Sequence, residues 1–143
     1  MCNLMRSLAR ETAFKIVYKS LFLDGDLSCD ELLEEDNITL EQDKDFADDN
    51  NFVRTIIALY GEHKDEINTL INSNLKGYTP ERVYKIDRAI LATAITEIKY
   101  YKLTPLKVVI NEAVEMAKKY STEKSYSFVN GILKAILGEQ NAN

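Results

Sequence analysis

Apolar residues recur every three to four positions through most of this chain, the spacing that places them on one face of an α-helix. In Arg6–Leu23 the stripe is Ala9, Ala13, Val17 and Leu21, and Asp24-Gly25 ends the segment. A short helix is expected from about Ser28, a fitting N-cap, to Glu35. Phe52–Leu75 is the longest periodic stretch, with Phe52, Ile56, Leu59/Tyr60, His63, Ile67 and Leu70/Ile71 on its apolar side and Gly77 as a stop. The strict alternation of a half-buried strand is hard to find anywhere.

The second half has sharper punctuation. Thr79-Pro80 and Thr104-Pro105 each set an N-cap hydroxyl before a proline at the first helical position, where the missing N–H costs nothing. Between them, Ile86, Ile90, Ala94 and Ile98 mark one inward stripe; after them, Leu106, Val109/Ile110, Ala113, Met116/Ala117 and Tyr120 mark another. Ser121-Thr122 opens a last helix with Phe128/Val129, Ile132/Leu133 and Ile136 as its stripe and Gly138 as its stop. Three amphipathic helices hide their stripes only against one another, so the pattern predicts an all-α protein of two three-helix sets. The expected division is an N-terminal helical subdomain of about 4–77 and a C-terminal one of about 79–138, joined near Asn72–Thr79.

Composition sets the class. A chain of 143 residues that is 45% hydrophobic and 29% charged is long enough to bury a core and has the balance of a globular protein. No apolar run approaches the roughly 20 residues that cross a bilayer. The opening Met-Cys-Asn-Leu-Met-Arg-Ser lacks the apolar core of a secretion signal. Cys2 and Cys29, without metal spacing, read as free thiols, and the expected location is the cytoplasm. The net charge of −5 is unevenly spread: Asp24–Asn50 holds twelve acids against one base, Lys44, while the remainder has 17 bases and 11 acids. Because charges are screened beyond about 8 Å in physiological salt, a local basic surface acts despite the acidic total. The acidic run reads as a solvated loop and helix face; it lacks the ligand pattern and central glycine of a Ca²⁺ loop.

The inventory for catalysis is thin, and no catalytic, cofactor or metal site is expected. His63, the only histidine, lies on the apolar stripe of the longest helix and reads as a packed, hydrogen-bonded core or boundary residue. Glu112 and Glu115 have no histidine partner and read as a solvated or ion-paired face. There is no glycine-rich phosphate loop and no nucleophile elbow. Nucleic-acid binding has more support. Arg6 and Arg10 are four apart on the first helix; Lys15 and Lys19 repeat that spacing on another side. Lys118, Lys119 and Lys124 crowd the turn between the last two helices, among Tyr120, Tyr126 and Phe128. Cations attract phosphates and exposed rings stack on unpaired bases, a pairing suited to single-stranded RNA. Composition alone also permits a solvated charged face with Tyr120 and Phe128 in the core.

Four segments in order, Leu8–Tyr18 with its Ala-Arg-Glu, Lys85-Ile-Asp-Arg-Ala-Ile-Leu91, Pro105–Tyr120 with Asn111-Glu112-Ala113, and Phe128-Val129-Asn130-Gly131, resemble the signature of the NusB family. The resemblance runs from end to end, with only the acidic region unmatched. It implies two perpendicular three-helix bundles and an RNA-binding role in transcription antitermination of ribosomal RNA operons. The implied partners are boxA-type single-stranded RNA, the small-subunit ribosomal protein NusE, and RNA polymerase with other Nus factors. Some family members self-associate, so a homodimer is a further expectation. Carried over by position, the RNA surface comprises Arg6, Arg10, Lys119, Tyr120, Lys124, Ser125 and Phe128, and the NusE-facing surface Tyr18, Phe22 and Asp87. Asn130 and Gly131 are expected to serve a close helix crossing. Ser7 and Leu8 interrupt the arginine cluster usual in the family, while Lys124 stands where many relatives carry an acid. Two other readings are an RNA-binding module like that of some ribosomal RNA cytosine methyltransferases, disfavoured by the chain's end at Asn143, and a helical homodimer with no RNA role.

Overall fold

The computed structural model describes residues 2–22 and 47–141, which form five α-helices and, among the described residues, no strand. Helix α1 spans Cys2–Ser20, α2 Ala47–Ser73, α3 Lys85–Thr96, α4 Leu106–Tyr120 and α5 Ser125–Asn141. The all-α expectation holds. The expected short helix at Ser28–Glu35, Cys29, Lys44 and most of the acidic run lie outside the described residues.

Helix α3 organises the molecule. It packs against α1 and α2 on one side and against α4 and α5 on the other. A helix so placed needs to be apolar all round, and Ala89 through Glu97 are buried without a break. The single inward stripe of Ile86, Ile90, Ala94 and Ile98 therefore understates it: Leu91, Ala92 and Ile95 face neighbours too. Burying each large aliphatic side chain is worth about 1.5–3 kcal/mol. The buried threonines are satisfied within the helix, Thr93 and Thr96 each donating to the carbonyl four residues back, both at 2.7 Å. Phe14, Ile16, Phe52, Ile56, Ile67, Met116, Val129 and Leu133 complete one contiguous core.

Two irregular turns orient side chains. Glu97–Tyr101 continue α3 as a π-helical turn, closed by the Lys102 N–H donating to the Glu97 carbonyl at 2.9 Å with Lys102 left-handed (φ 63°). The turn directs Glu97 inward and sets Tyr101 edge-on to Phe52, ring centroids 5.2 Å apart. It also lays Tyr100 flat on His63, 3.7 Å between centroids, where α2 kinks. His63 is thus a half-buried boundary residue, as its place on the stripe suggested.

Helix ends depart from expectation. Thr79-Pro80 opens only a single 3₁₀ turn, Pro80–Arg82, and α3 begins five residues later at Lys85; Thr79 makes no side-chain cap bond. Pro105 occupies the N-cap itself, not the first helical position. Gly77, at φ 80°, reverses the chain after α2, but Asn74 closes that helix by donating its side-chain amide to the Leu70 carbonyl at 2.8 Å. Gly138 does not stop α5, which runs on to Asn141. Among the described residues no helix is long and apolar enough to cross a membrane.

Candidate nucleic-acid interface

The first helix presents two opposed charged sides. At 100° per residue, the nine positions from Arg6 to Lys15 amount to roughly half a turn of azimuth. Arg6 and Arg10 point toward α2 and the π turn. Arg10 is 4% exposed and donates from Nε and Nη2 to both carboxylate oxygens of Glu97, at 2.9 and 2.8 Å, with Glu112 a further 3.6 Å away. Arg6 donates to Asp49 at 2.8 Å and lies 4.5 Å above the Phe52 ring. Burial alone would lower the Arg6 pKa, but its bonds to Asp49 and Tyr101 outweigh this and raise it. The expectation that Arg10 grips a phosphate is therefore corrected: its guanidinium is consumed by a buried fork-to-fork ion pair. Arg6, half-buried and held by Asp49, belongs to that same side.

The other side of α1 meets the end of α4. Glu11 accepts from Lys119 Nζ at 2.8 Å and from the Tyr120 hydroxyl. Burial would raise the Glu11 carboxyl, yet these bonds and the charges of Lys119 and Lys15 hold it below its ordinary value; Glu11 in turn pushes Lys119 up. Lys15 and Lys119 sit on the Tyr120 ring, 5.4 and 5.3 Å from its centroid. Tyr120 continues a line of rings along α1, through Phe14 (5.3 Å) and Tyr18 (6.3 Å) to Phe22 (4.9 Å from Tyr18), which is 55% exposed beneath Lys85. Tyr18 and Phe22 thus share one face. Glu112 and Glu115 are ion-paired and hydrogen-bonded as expected, Glu112 by Ser7 and Arg10, Glu115 by Lys118 at 3.5 Å.

The turn between α4 and α5 is held from beneath. Asp87, 3% exposed in the first turn of α3, accepts from Ser121 at 2.7 Å with one oxygen and from Ser125 at 2.8 Å with the other. The helix N-terminus beneath it favours the negative charge. Two further expectations are corrected here: Asp87 does not face a partner and Ser125 does not face RNA, because their polar atoms face each other inside the fold. The latch leaves Lys124 and Tyr126 exposed and Phe128 half-buried, its ring edge-to-face with Tyr78 at 5.1 Å.

Lys15, Lys119 and Tyr120 thereby meet where α1 packs on the end of α4, and Lys124 and Phe128 share a depression just after it along the chain, in both cases without the two arginines. Sequence reasoning missed Tyr78, Arg82 and Tyr84, which line a depression shared with Lys124 and Phe128. The only signal for them was two tyrosines, Tyr78 and Tyr84, flanking a turn that no apolar stripe claims.

A family model described as the NusB family matches residues 7–137. The chain belongs to the NusB family. Among curated relatives, the transcription antitermination protein NusB of Finegoldia magna is 38% identical over 135 residues, covering 92% of this chain and 93% of that one. Among solved structures, T. maritima NusB superposes with a TM-score of 0.81 at 35% identity, covering 94% of this chain and 91% of the other. A structure of antitermination factors NusB and NusE in complex with dsRNA matches with a TM-score of 0.74 at 29% identity, covering 92% and 95%.

Proposed function

We propose that this chain is a transcription antitermination factor that binds boxA-type single-stranded RNA together with NusE and supports processive transcription of ribosomal RNA operons by RNA polymerase with other Nus factors. The work is recognition, without turnover. Two cationic and aromatic clusters carry the reading, Lys15 and Lys119 on the Tyr120 ring and Lys124 beside Phe128 and Tyr78, in a chain similar over most of its length to a NusB solved with NusE and dsRNA. Lysines draw the phosphates, and the half-buried Tyr120 and Phe128 rings offer their open faces to unpaired bases, which a duplex does not present. Tyr18 near the end of α1 and Phe22 in the turn that follows are the NusE-facing residues, a role supported by their edge-to-face contact at 4.9 Å and by the exposure of Phe22.

Fluorescence anisotropy with a labelled boxA-type single strand, with and without NusE, tests this. Binding is expected to tighten when NusE is present and to fall for a scrambled strand. Replacing Lys119 and Lys124 by Ala should flatten the dependence of log K on log salt by about 0.7 per lost phosphate contact. Equal affinity for boxA-type and scrambled RNA in the presence of NusE would overturn the reading.

A further inference from the structure

One carboxylate sits inside the cationic cluster where α1 packs on the end of α4. Glu11 Oε1 accepts both from Lys119 Nζ, at 2.8 Å, and from the Tyr120 hydroxyl; among the described residues no hydrogen bond reaches Oε2. The Glu11 side chain is only 14% exposed, so it is held there by its partners and not by water. Lys15, exposed on the same side of α1, adds a further positive charge toward it. Two ammonium groups and a phenol O–H directed at one anionic oxygen are the donors that a phosphodiester oxygen calls for. In the free protein the anion among them is the chain's own.

Beyond Glu11 a groove of about 460 Å³ opens between α1 and α4. Glu112 and Glu115 line it as well, and they repel a second phosphate. The place held by Glu11 therefore suits a single phosphate.

Resting on the RNA-binding reading, we propose that Lys15, Lys119 and the Tyr120 hydroxyl form an anion socket, which Glu11 fills in the free protein and which one phosphate of the bound strand takes over by displacing the carboxylate. Glu11 is a built-in competitor. Its bonds to Lys119 and Tyr120 have to break before the phosphate enters, which weakens the binding of any strand by the same factor. Those bonds also hold the two side chains in position before the strand arrives.

The test is Glu11→Gln, which keeps an accepting oxygen and removes the charge. Fluorescence anisotropy with a labelled boxA-type strand and NusE should show binding at least about fivefold tighter than wild type, with unaltered circular dichroism. Glu115→Gln removes the same charge from the same groove, at a side chain 69% exposed, and should change affinity by less than about twofold. Adding Lys119→Ala to Glu11→Gln should erase the gain. Because a phosphate carries no base identity, a scrambled strand should gain by the same factor. Unchanged or weakened binding by Glu11→Gln would overturn the socket, and so would an equal gain from Glu115→Gln or a gain confined to the boxA-type strand. A wild type that binds both strands equally while Glu11→Gln tightens both would overturn the boxA reading and support the socket.

Discussion

Breaking the Arg10–Glu97 pair separates a structural arginine from an RNA-binding one. Both side chains are nearly inaccessible, 5% and 1% exposed, so removing either partner strands a charge inside the fold. Such losses cost about 3–5 kcal/mol. Glu112, 3.6 Å from Arg10 and a quarter exposed, offsets part of this when Glu97 is removed, so Glu97→Gln should sit near the lower figure. Arg10→Ala also deletes packing over Phe52, whose centroid lies 5.5 Å from the guanidinium carbon, and should sit near the upper one. At roughly 3 °C per kcal/mol for a chain of this size, Tm should fall by about 10–15 °C. Replacing both residues by apolar ones of similar volume, Arg10→Met with Glu97→Leu, should recover most of the loss. Urea titration followed by circular dichroism reads the stability of the wild type and of the three variants. RNA binding measured well below each variant's Tm should keep its salt dependence, because no phosphate contact is removed. An Arg10→Ala protein of undiminished stability but flattened salt dependence would refute this reasoning and return Arg10 to the RNA surface.

Three further outcomes follow from the geometry. Glu11, held below its ordinary 4.5, contributes stability that is fully present above that value and is lost as pH falls through its lower folded pKa; the stability gap between wild type and Glu11→Gln should therefore be constant near neutrality and close below about pH 4.5, as urea midpoints across pH would show. Asp87→Ala leaves the Ser121 and Ser125 hydroxyls without their carboxylate and should cost about 2–4 kcal/mol, with hydrogen exchange accelerated in residues 121–125 ahead of α3; slow exchange there would mean that Asp87 does not hold the turn. Tyr100, burdened by burial and by donating to Glu66 at 2.6 Å, is pushed up to about 12, and burial raises Tyr60 as well, so an ultraviolet titration should show late-ionising phenols, and Tyr100→Phe should diminish that late step.

The helices themselves were legible because burial imposes a 3.6-residue period that local sequence cannot hide, and α1, α2, α4 and α5 lie where the stripes put them. What the period does not reveal is which helix is surrounded. Lys85–Thr96 reads as one stripe because its alanines and threonines count as weakly apolar, yet they are buried on every side. The caps misled for a local reason: threonine followed by proline is competent to start a helix, but the chain takes a 3₁₀ turn after Thr79 because α3 must begin where it crosses α1 and α2. At the site, composition located the closing turn and not the fate of individual charges. Arg10 and Lys15 look alike in a sequence; five positions, roughly 140° of azimuth, send one into Glu97 and the other to the rim beside Tyr120. Asp87 and Ser125 were picked out by resemblance, and the structure turns their polar atoms toward each other inside the fold. Tyr78 went unnoticed because an exposed ring in a turn has no periodic partner; only the edge-to-face contact with Phe128 gives it a role.

Amide chemical-shift mapping of the isotope-labelled chain, titrated with a boxA-type single strand in the presence of unlabelled NusE, tests the central claim most directly. The strand-dependent shifts should cluster on Lys15, Lys119, Tyr120, Lys124 and Phe128 and spare the Arg6–Asp49 side. Shifts concentrated around Arg6, Asp49 and Phe52, with the closing turn silent, would contradict the account.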